Sequence, residues 1–372
     1  MPDPILFIDQ YGNIGGGQRS LLALIGIALD AGHRVGVMAP GGGRLEREIT
    51  SRFGGNAAFH RAPDAALQKG RKGPADLLRI LPYTLAVVAL VCRQPGYTIR
   101  YFNGPRMFLA GFLASFLLPG QSIFHIRIDH SRIEKRLIAL IRSSGRNSRV
   151  IFNSPYLLRS FLEDTATPAG AGRLSVIENS LYPPFSDRPF VDRFKHTGPR
   201  LVIGIFGRIC PEKGQDIAGA LVNACQAVVI HLVGFCDPAD REFLDAILQA
   251  GGGRITHRDF SDDLPGTVEE LGIQASIVPS RWNEAFGLVA IESMAMSLIT
   301  FVSDRGMLPE IAAATGALCH ESPQRLIEQV AEVCGMNYES RRELARVQHQ
   351  AAVARYNFNR FAADVTRLLQ EK

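Results

Sequence analysis

The chain has 372 residues, 46% hydrophobic and 21% charged, a composition that excludes a disordered or collagen-like protein and leaves room for two globular domains. Its six cysteines (Cys92, Cys210, Cys225, Cys236, Cys319, Cys334) form no Cys-x-x-Cys pair, which argues against a zinc site and a disulfide framework. The net charge of +5 is uneven: residues 1–180 hold 22 Lys and Arg against 12 Asp and Glu, the remainder 19 against 24. A basic first half suits an anionic partner such as a membrane surface, a lipid phosphate or an acidic polymer. Nucleic acid is not expected, because the arginines are not interleaved with aromatics and no nucleic-acid-binding motif occurs.

In chain order, "MPDPILFID" lacks the basic flank and cleavage site of a signal peptide, so a cytoplasmic location is expected. The runs "ILFID" (5–9), "VGVMA" (35–39), "YTIRYFN" (97–103), "SIFHIRI" (122–128) and "RVIFN" (149–153) read as buried parallel strands of a first domain. Between them lie two longer apolar runs, 80–92 and 107–118, both short of the ~20 residues that cross a bilayer. They read as buried core helices, with a membrane-surface role as the alternative. The segment 179–200 is rich in proline and charge and marks a break. Beyond it "LVIGIFG" (201–207), "AVVIHLVG" (227–234), "ASIVPS" (275–280) and "LITFVS" (298–303) read as strands of a second domain, and the chain closes on an amphipathic helix. Strand–helix alternation of this kind gives a doubly wound α/β sheet, here twice. The expected division is 1–185, 186–350 and a C-terminal helix within 351–372. Ligands of such sheets bind at the carboxyl ends of the strands, so two facing sheets would share one cleft.

Three stretches carry chemistry. In "RWNEAFGLVAIESMAM" (281–296), Glu284 and Glu292 flank Gly287 at the expected start of a helix. There the free amides of Phe286, Gly287 and Leu288 would make an anion site, since the helix dipole and unpaired donors favour negative charge. Eight helical positions span roughly 12 Å, so the two carboxylates could grip the ends of an elongated ligand such as a nucleotide sugar. Two glutamates on a solvated helix face are the plainer alternative. In "GIFGRICPEKGQD" (204–216), Arg208 and Lys213 follow a strand and could neutralise a departing diphosphate, as a metal does elsewhere; the chain contains no Asp-x-Asp. In "YGNIGGGQRS" (11–20), Gly15, Gly16 and Gly17 allow close backbone approach to a phosphate or sugar, or simply make a tight turn.

With these stretches the chain resembles retaining glycosyltransferases of the GT-B fold, family 4. The family's Pro-Ser…Glu-x-Phe-Gly…Glu pattern is matched by "PSRWNEAFGLVAIESMAM", its Gly-Arg…Lys-Gly motif by "GRICPEKGQD", and its first loop by "GGGQRSLLALIGIALDAGHRV". The resemblance implies two Rossmann-like domains facing a cleft, with a C-terminal helix crossing back to the first. It also implies that Arg208 and Lys213 bind the donor diphosphate, that Glu284 contacts donor-sugar hydroxyls, and that Phe286, Gly287 and Leu288 hold sugar and phosphate through their amides. Glu292 would take the ribose, and Gly16 and Gly17 would approach the donor from the first domain, which would hold a glycan or lipid-linked acceptor. The family often has a histidine after its fourth strand, near the reacting sugar. In "SIFHIRIDHS" Arg127 takes that place and His130 follows at the strand's end, whereas His125, inside the alternation, reads as packing. Arg127 and His130 therefore join Glu284, Arg208 and Lys213 as catalytic candidates.

The reaction so implied moves a sugar from a nucleotide-diphosphate donor to an acceptor hydroxyl with retained configuration, with no metal or other cofactor. Its expected setting is bacterial envelope or exopolysaccharide synthesis, in the cytoplasm or at the inner membrane face. Two alternatives remain at this point: a nucleotide-sugar 2-epimerase of the same fold, and a non-catalytic scaffold.

Overall fold

The apolar runs form two wholly parallel sheets in the computed structural model, which describes residues 2–64, 74–143, 147–167, 173–195 and 200–371. The chain divides into two compact units: Met1–Asn179 with Asn359–Lys372, and Ser180–Phe358. The first holds β1 (Ile5–Ile8), β2 (Val35–Pro40), β3 (Ala57–Ala62), β4 (Ile99–Phe102), β5 (Gln121–Ile126), β6 (Ser148–Phe152) and β7 (Leu174–Val176), in the order β3-β2-β1-β4-β5-β6-β7. The second holds β8 (Leu201–Phe206), β9 (Val228–Val233), β10 (Ile255–Arg258), β11 (Ala275–Val278), β12 (Ile299–Ser303) and β13 (Leu318–His320), in the order β10-β9-β8-β11-β12-β13.

In each sheet the order reverses once, between β1 and β4 and between β8 and β11. Open α/β sheets bind ligands at such a reversal, beyond the carboxyl ends of the strands. All nine strands expected from apolar runs are present. Four were unread, β3, β7, β10 and β13, and these are the four sheet edges. Each has at most one buried residue, so none reads as the continuous apolar run that burial on two faces requires.

The two longer apolar runs lie in the helices Pro74–Cys92 and Phe108–Leu117. Burial of Tyr83, Val87, Val88 and Val91 bears out the core expectation for one face only, because Leu81 and Leu85 are 55% exposed and Leu109, Phe116 and Leu117 also face outward. No described helix is long and apolar enough to cross a membrane. The last helix, Phe358–Gln370, buries Phe361, Val365, Leu368 and Leu369, each contributing about 1.5–3 kcal/mol of burial, and Glu371 pairs with Arg149 of the first unit.

Candidate functional site

In the second unit, β8 is followed by Gly207 (φ 122°) and Arg208, and a single 3₁₀ turn, Pro211–Lys213, closes on Gly214 (φ 70°). A Cβ on Gly214 would lie 2.3 Å from the Pro279 carbonyl oxygen, so only glycine lets this turn press against the end of β11. Lys213 thereby reaches the next loop. Its Nζ is 2.6 Å from Glu284 Oε1 and 4.9 Å from the centroid of the Trp282 ring. The same Oε1 accepts hydrogen bonds from Ser280 Oγ (2.5 Å) and Trp282 Nε1 (2.9 Å), while Oε2 accepts none among the described residues. Burial would raise the Glu284 carboxyl, but the Lys213 ammonium and these hydrogen bonds outweigh it and hold it below the usual carboxylate range. Arg208 is fixed through its backbone, whose carbonyl accepts from Gln215 Nε2 (2.8 Å); its guanidinium makes no hydrogen bond or ion pair among the described residues.

The helix Leu288–Ala295 starts where expected, with Gly287 (φ 98°) as an N-cap that supplies no side chain. The amides of Phe286, Gly287 and Leu288 carry no hydrogen bond among the described residues. Phe286 is buried edge-on against Tyr356, ring centroids 5.6 Å apart, which pins the approach to the helix. Residues 284–287 are not helical, so the roughly 12 Å helical spacing between the two carboxylates does not apply. Glu292 lies one turn into the helix and is buried. Lys213 and Glu284, expected at different parts of a ligand, are joined directly.

Ser280, Trp282 and Gly306 escaped the sequence reading. A Cβ on Gly306 (φ 62°) would lie 2.2 Å from the Glu284 carbonyl oxygen, which accepts the Met307 N–H at 2.9 Å. Gly306→Ala should therefore cost about 1–3 kcal/mol of stability and displace the Glu284 loop; denaturant unfolding and nucleotide titration check both, and an unchanged variant would contradict this placement. Ser280 also walls a cavity of about 400 Å³ with Arg281, Ser303, Arg305 and His320, at the ends of β11, β12 and β13. Burial pushes the His320 imidazole down to about 4, so it is neutral at pH 7.

In the first unit the polar residues that close β1, β4 and β5 form one network. Asp9, fully buried, accepts from the Tyr11 N–H (2.8 Å), Gln18 Nε2 (3.1 and 3.2 Å) and Asn103 Nδ2 (2.5 Å). Burial pushes its carboxyl up against these bonds and the Arg127 charge. Arg127 donates from Nε to Asn103 Oδ1 (2.6 Å) and from Nη1, at 3.5 Å, to Asn179 Oδ1; Nη2 has no hydrogen-bond partner among the described residues. Gly16 and Gly17 open the helix Gly16–Asp30, and a Cβ on Gly17 would lie 3.6 Å from Arg127 Cδ. The glycine turn and Arg127 are thus neighbours.

His130 is not in this network. It is buried, with Nδ1 3.7 Å from Glu134 Oε2 and its ring beside Phe108. Its neighbour Asp129 is held by Lys135 (2.7 Å) and Tyr156 (3.0 Å). Past Ile126 the strand alternation ends and the chain turns into the helix Arg132–Ser143, whose Lys135 captures Asp129. His125 bonds Tyr101 at 2.6 Å, and burial pushes it well below its ordinary value, as befits a packing residue. Asp9 and Asn103 had one signal in the sequence: each is the polar closer of an otherwise apolar run, "FID" and "YFN".

Residues 190–350 match the family model described as glycosyl transferases group 1. No curated protein matches the chain. Among solved structures, Alr3699/HepE of Anabaena in complex with UDP and glucose is 20% identical, covers all of both chains and has a TM-score of 0.79. Sucrose-phosphate synthase from Thermosynechococcus elongatus is 19% identical over 98% of each chain, with a TM-score of 0.78. WaaG, a glycosyltransferase involved in lipopolysaccharide biosynthesis, is 14% identical over 99% of this chain and 100% of its own, with a TM-score of 0.71. The architecture, two parallel Rossmann-like units, is that of GT-B glycosyltransferases.

Proposed function

We propose that the chain transfers a sugar from a nucleotide-diphosphate donor to an acceptor hydroxyl, with retained anomeric configuration and without a metal. The observation that carries this is the Lys213–Glu284 pair at the β8/β11 reversal, beside amides at the mouth of the Leu288–Ala295 helix that carry no hydrogen bond among the described residues. A diphosphate on those amides would be met by Arg208 and Lys213, which stabilise charge as it builds on the leaving nucleotide. Glu284 Oε2 would accept from donor-sugar hydroxyls while Oε1 stays tied to the protein. Glu292 would take the ribose, and Gly16, Gly17 and Arg127 would form a ligand-binding edge of the first unit. In a front-face displacement the leaving β-phosphate can take the acceptor's proton, so no side-chain base is required of His130. UDP, present in the Anabaena complex, is the first nucleotide to try.

The test is product analysis by NMR after incubation with nucleotide sugars and glycan acceptors. A new glycoside with the donor's anomeric configuration supports the reading. A 2-epimer formed without acceptor would favour epimerase chemistry, and no turnover despite nucleotide binding would favour a scaffold.

A glycan acceptor carried on a lipid would bring the first unit to the inner membrane face, and its surface suits that. The helix Arg132–Ser143 exposes Ile133 and Leu140 with Arg136 and with Arg132, which pairs with Asp164 at 2.8 Å, an amphipathic face whose Arg136 suits anionic headgroups. Removing the apolar anchors with Ile133→Asp/Leu140→Asp should abolish co-sedimentation with phosphatidylglycerol vesicles; equal sedimentation of both proteins would remove the membrane from the account.

A further inference from the structure

Asp9 is a buried carboxylate that touches no cation among the described residues; its side-chain partners are two amides, Gln18 and Asn103. Each amide has a donor on its far side. The Gly15 N–H donates to Gln18 Oε1 at 3.1 Å, and Arg127 Nε donates to Asn103 Oδ1 at 2.6 Å. With donors there, each amide must turn its oxygen outward and its NH₂ toward Asp9, whose two carboxyl oxygens accept from both. One acceptor group thus sets the polarity of two chains of hydrogen bonds. One ends on the glycine turn, the other on Arg127.

The guanidinium is left half used. Nε is bound, Nη1 has a long bond to Asn179 Oδ1, and Nη2 has no hydrogen-bond partner among the described residues. The Nη1–Nη2 edge is the fork that matches two oxygens of a phosphate or carboxylate. It lies beside Gly17, near the β1/β4 reversal where such a sheet takes its ligand. We propose that Asp9 is the positioning residue of the first unit's ligand site: through Gln18 it holds the Gly15–Gly17 turn, and through Asn103 it holds Arg127 so that its free edge receives an anionic oxygen of the substrate. Resting on the nucleotide-sugar reading, that oxygen is a phosphate or a carboxylate oxygen of a nucleotide sugar.

The test is a double-mutant cycle on the full chain, read as affinity for UDP, UDP-glucose and UDP-glucuronate by calorimetry. Asp9→Asn puts an NH₂ where both amides donate, and Arg127→Ala removes the fork. Each single variant should weaken the same probe by about 10- to 100-fold, and the double variant should be no worse than Arg127→Ala alone, because Asp9 acts through Arg127. Losses that multiply would mean Asp9 serves only the fold and would overturn the proposal, as would unchanged affinity for all three probes. Loss confined to UDP-glucuronate identifies a sugar carboxylate; loss on all three identifies the diphosphate. Asn103→Ala, which cuts only the Arg127 branch, repeats the cycle should Asp9→Asn fail to fold. If the wild type binds none of the probes, the nucleotide-sugar reading fails, and the Arg127 Nε–H NMR signal decides the inference alone. A shift of that signal on adding inorganic pyrophosphate or glucuronate, lost in Asp9→Asn, supports it; no shift with either overturns it.

Discussion

Arg208→Ala is expected to lower kcat/KM for the nucleotide-sugar donor by about 10²–10³-fold, roughly 3–4 kcal/mol of transition-state stabilisation, while leaving the fold intact. Both halves of this expectation come from one feature. The Arg208 backbone is locked by Gln215, so the side chain leaves the end of β8 in a fixed direction, but its guanidinium makes no ion pair among the described residues. A cation that makes no hydrogen bond or ion pair among the described residues costs little stability when removed, within about 0.5 kcal/mol. Its charge is available to a leaving group whose own charge is still growing. Steady-state kinetics and melting on the same preparation check both halves. A variant of normal kcat/KM would remove Arg208 from the site, and one that melts early would make it a structural residue.

Lys213→Ala should behave differently, because Lys213 has a structural partner. Its pair with Glu284 is largely enclosed, with side chains 21% and 14% exposed. Removing the ammonium leaves a carboxylate with only the Ser280 and Trp282 donors, at an expected cost of about 2–4 kcal/mol. The pH dependence has a definite sign. In the wild type the Glu284 carboxyl is held below its ordinary value of 4.5, so the pair's contribution is present above that pH and is lost as pH falls through the lower folded value. Without Lys213, both of its contributions that lower the carboxyl are gone and the carboxyl moves up, so the variant loses less stability on acidification than the wild type. The stability gap between wild type and variant should therefore narrow from pH 7 toward pH 4, which urea unfolding at several pH values can read. A gap that is constant with pH would mean the two side chains do not interact in solution.

The contrast between these two cations also shows what the sequence could reveal. Arg208 and Lys213 stand in one short motif after an apolar strand, and the reading of "GRICPEK" assigned them a common duty. That Lys213 leans on Glu284, 71 residues away, depends on β8 lying beside β11, and the pairing order of strands is not written in either segment. The Asp9–Asn103 bond spans 94 residues for the same reason, through the neighbours β1 and β4. Locally, Asp9 is only a polar residue at the end of an apolar run, and turns commonly begin with such residues. The start of the helix at Leu288 was legible because Gly287 and the residues around it act on their immediate neighbours. Central strands were legible because burial on both faces leaves no polar alternation. Edges such as "AAFHRA" and "ITHR" face solvent on one side, and their composition does not separate them from loops.

Function at the second unit rests on one claim: a nucleoside diphosphate binds there on protein cations alone. The most direct measurement is thermal stabilisation by UDP, GDP, ADP and dTDP in EDTA, on the wild type and on Arg208→Ala. A nucleotide at 100 times its Kd stabilises the folded state by about 2.7 kcal/mol, a shift well outside experimental scatter. One nucleotide should shift the wild type without added metal, and that shift should disappear in Arg208→Ala. No shift from any of the four, or one that persists in Arg208→Ala or appears only with a divalent cation, would contradict a metal-free diphosphate site.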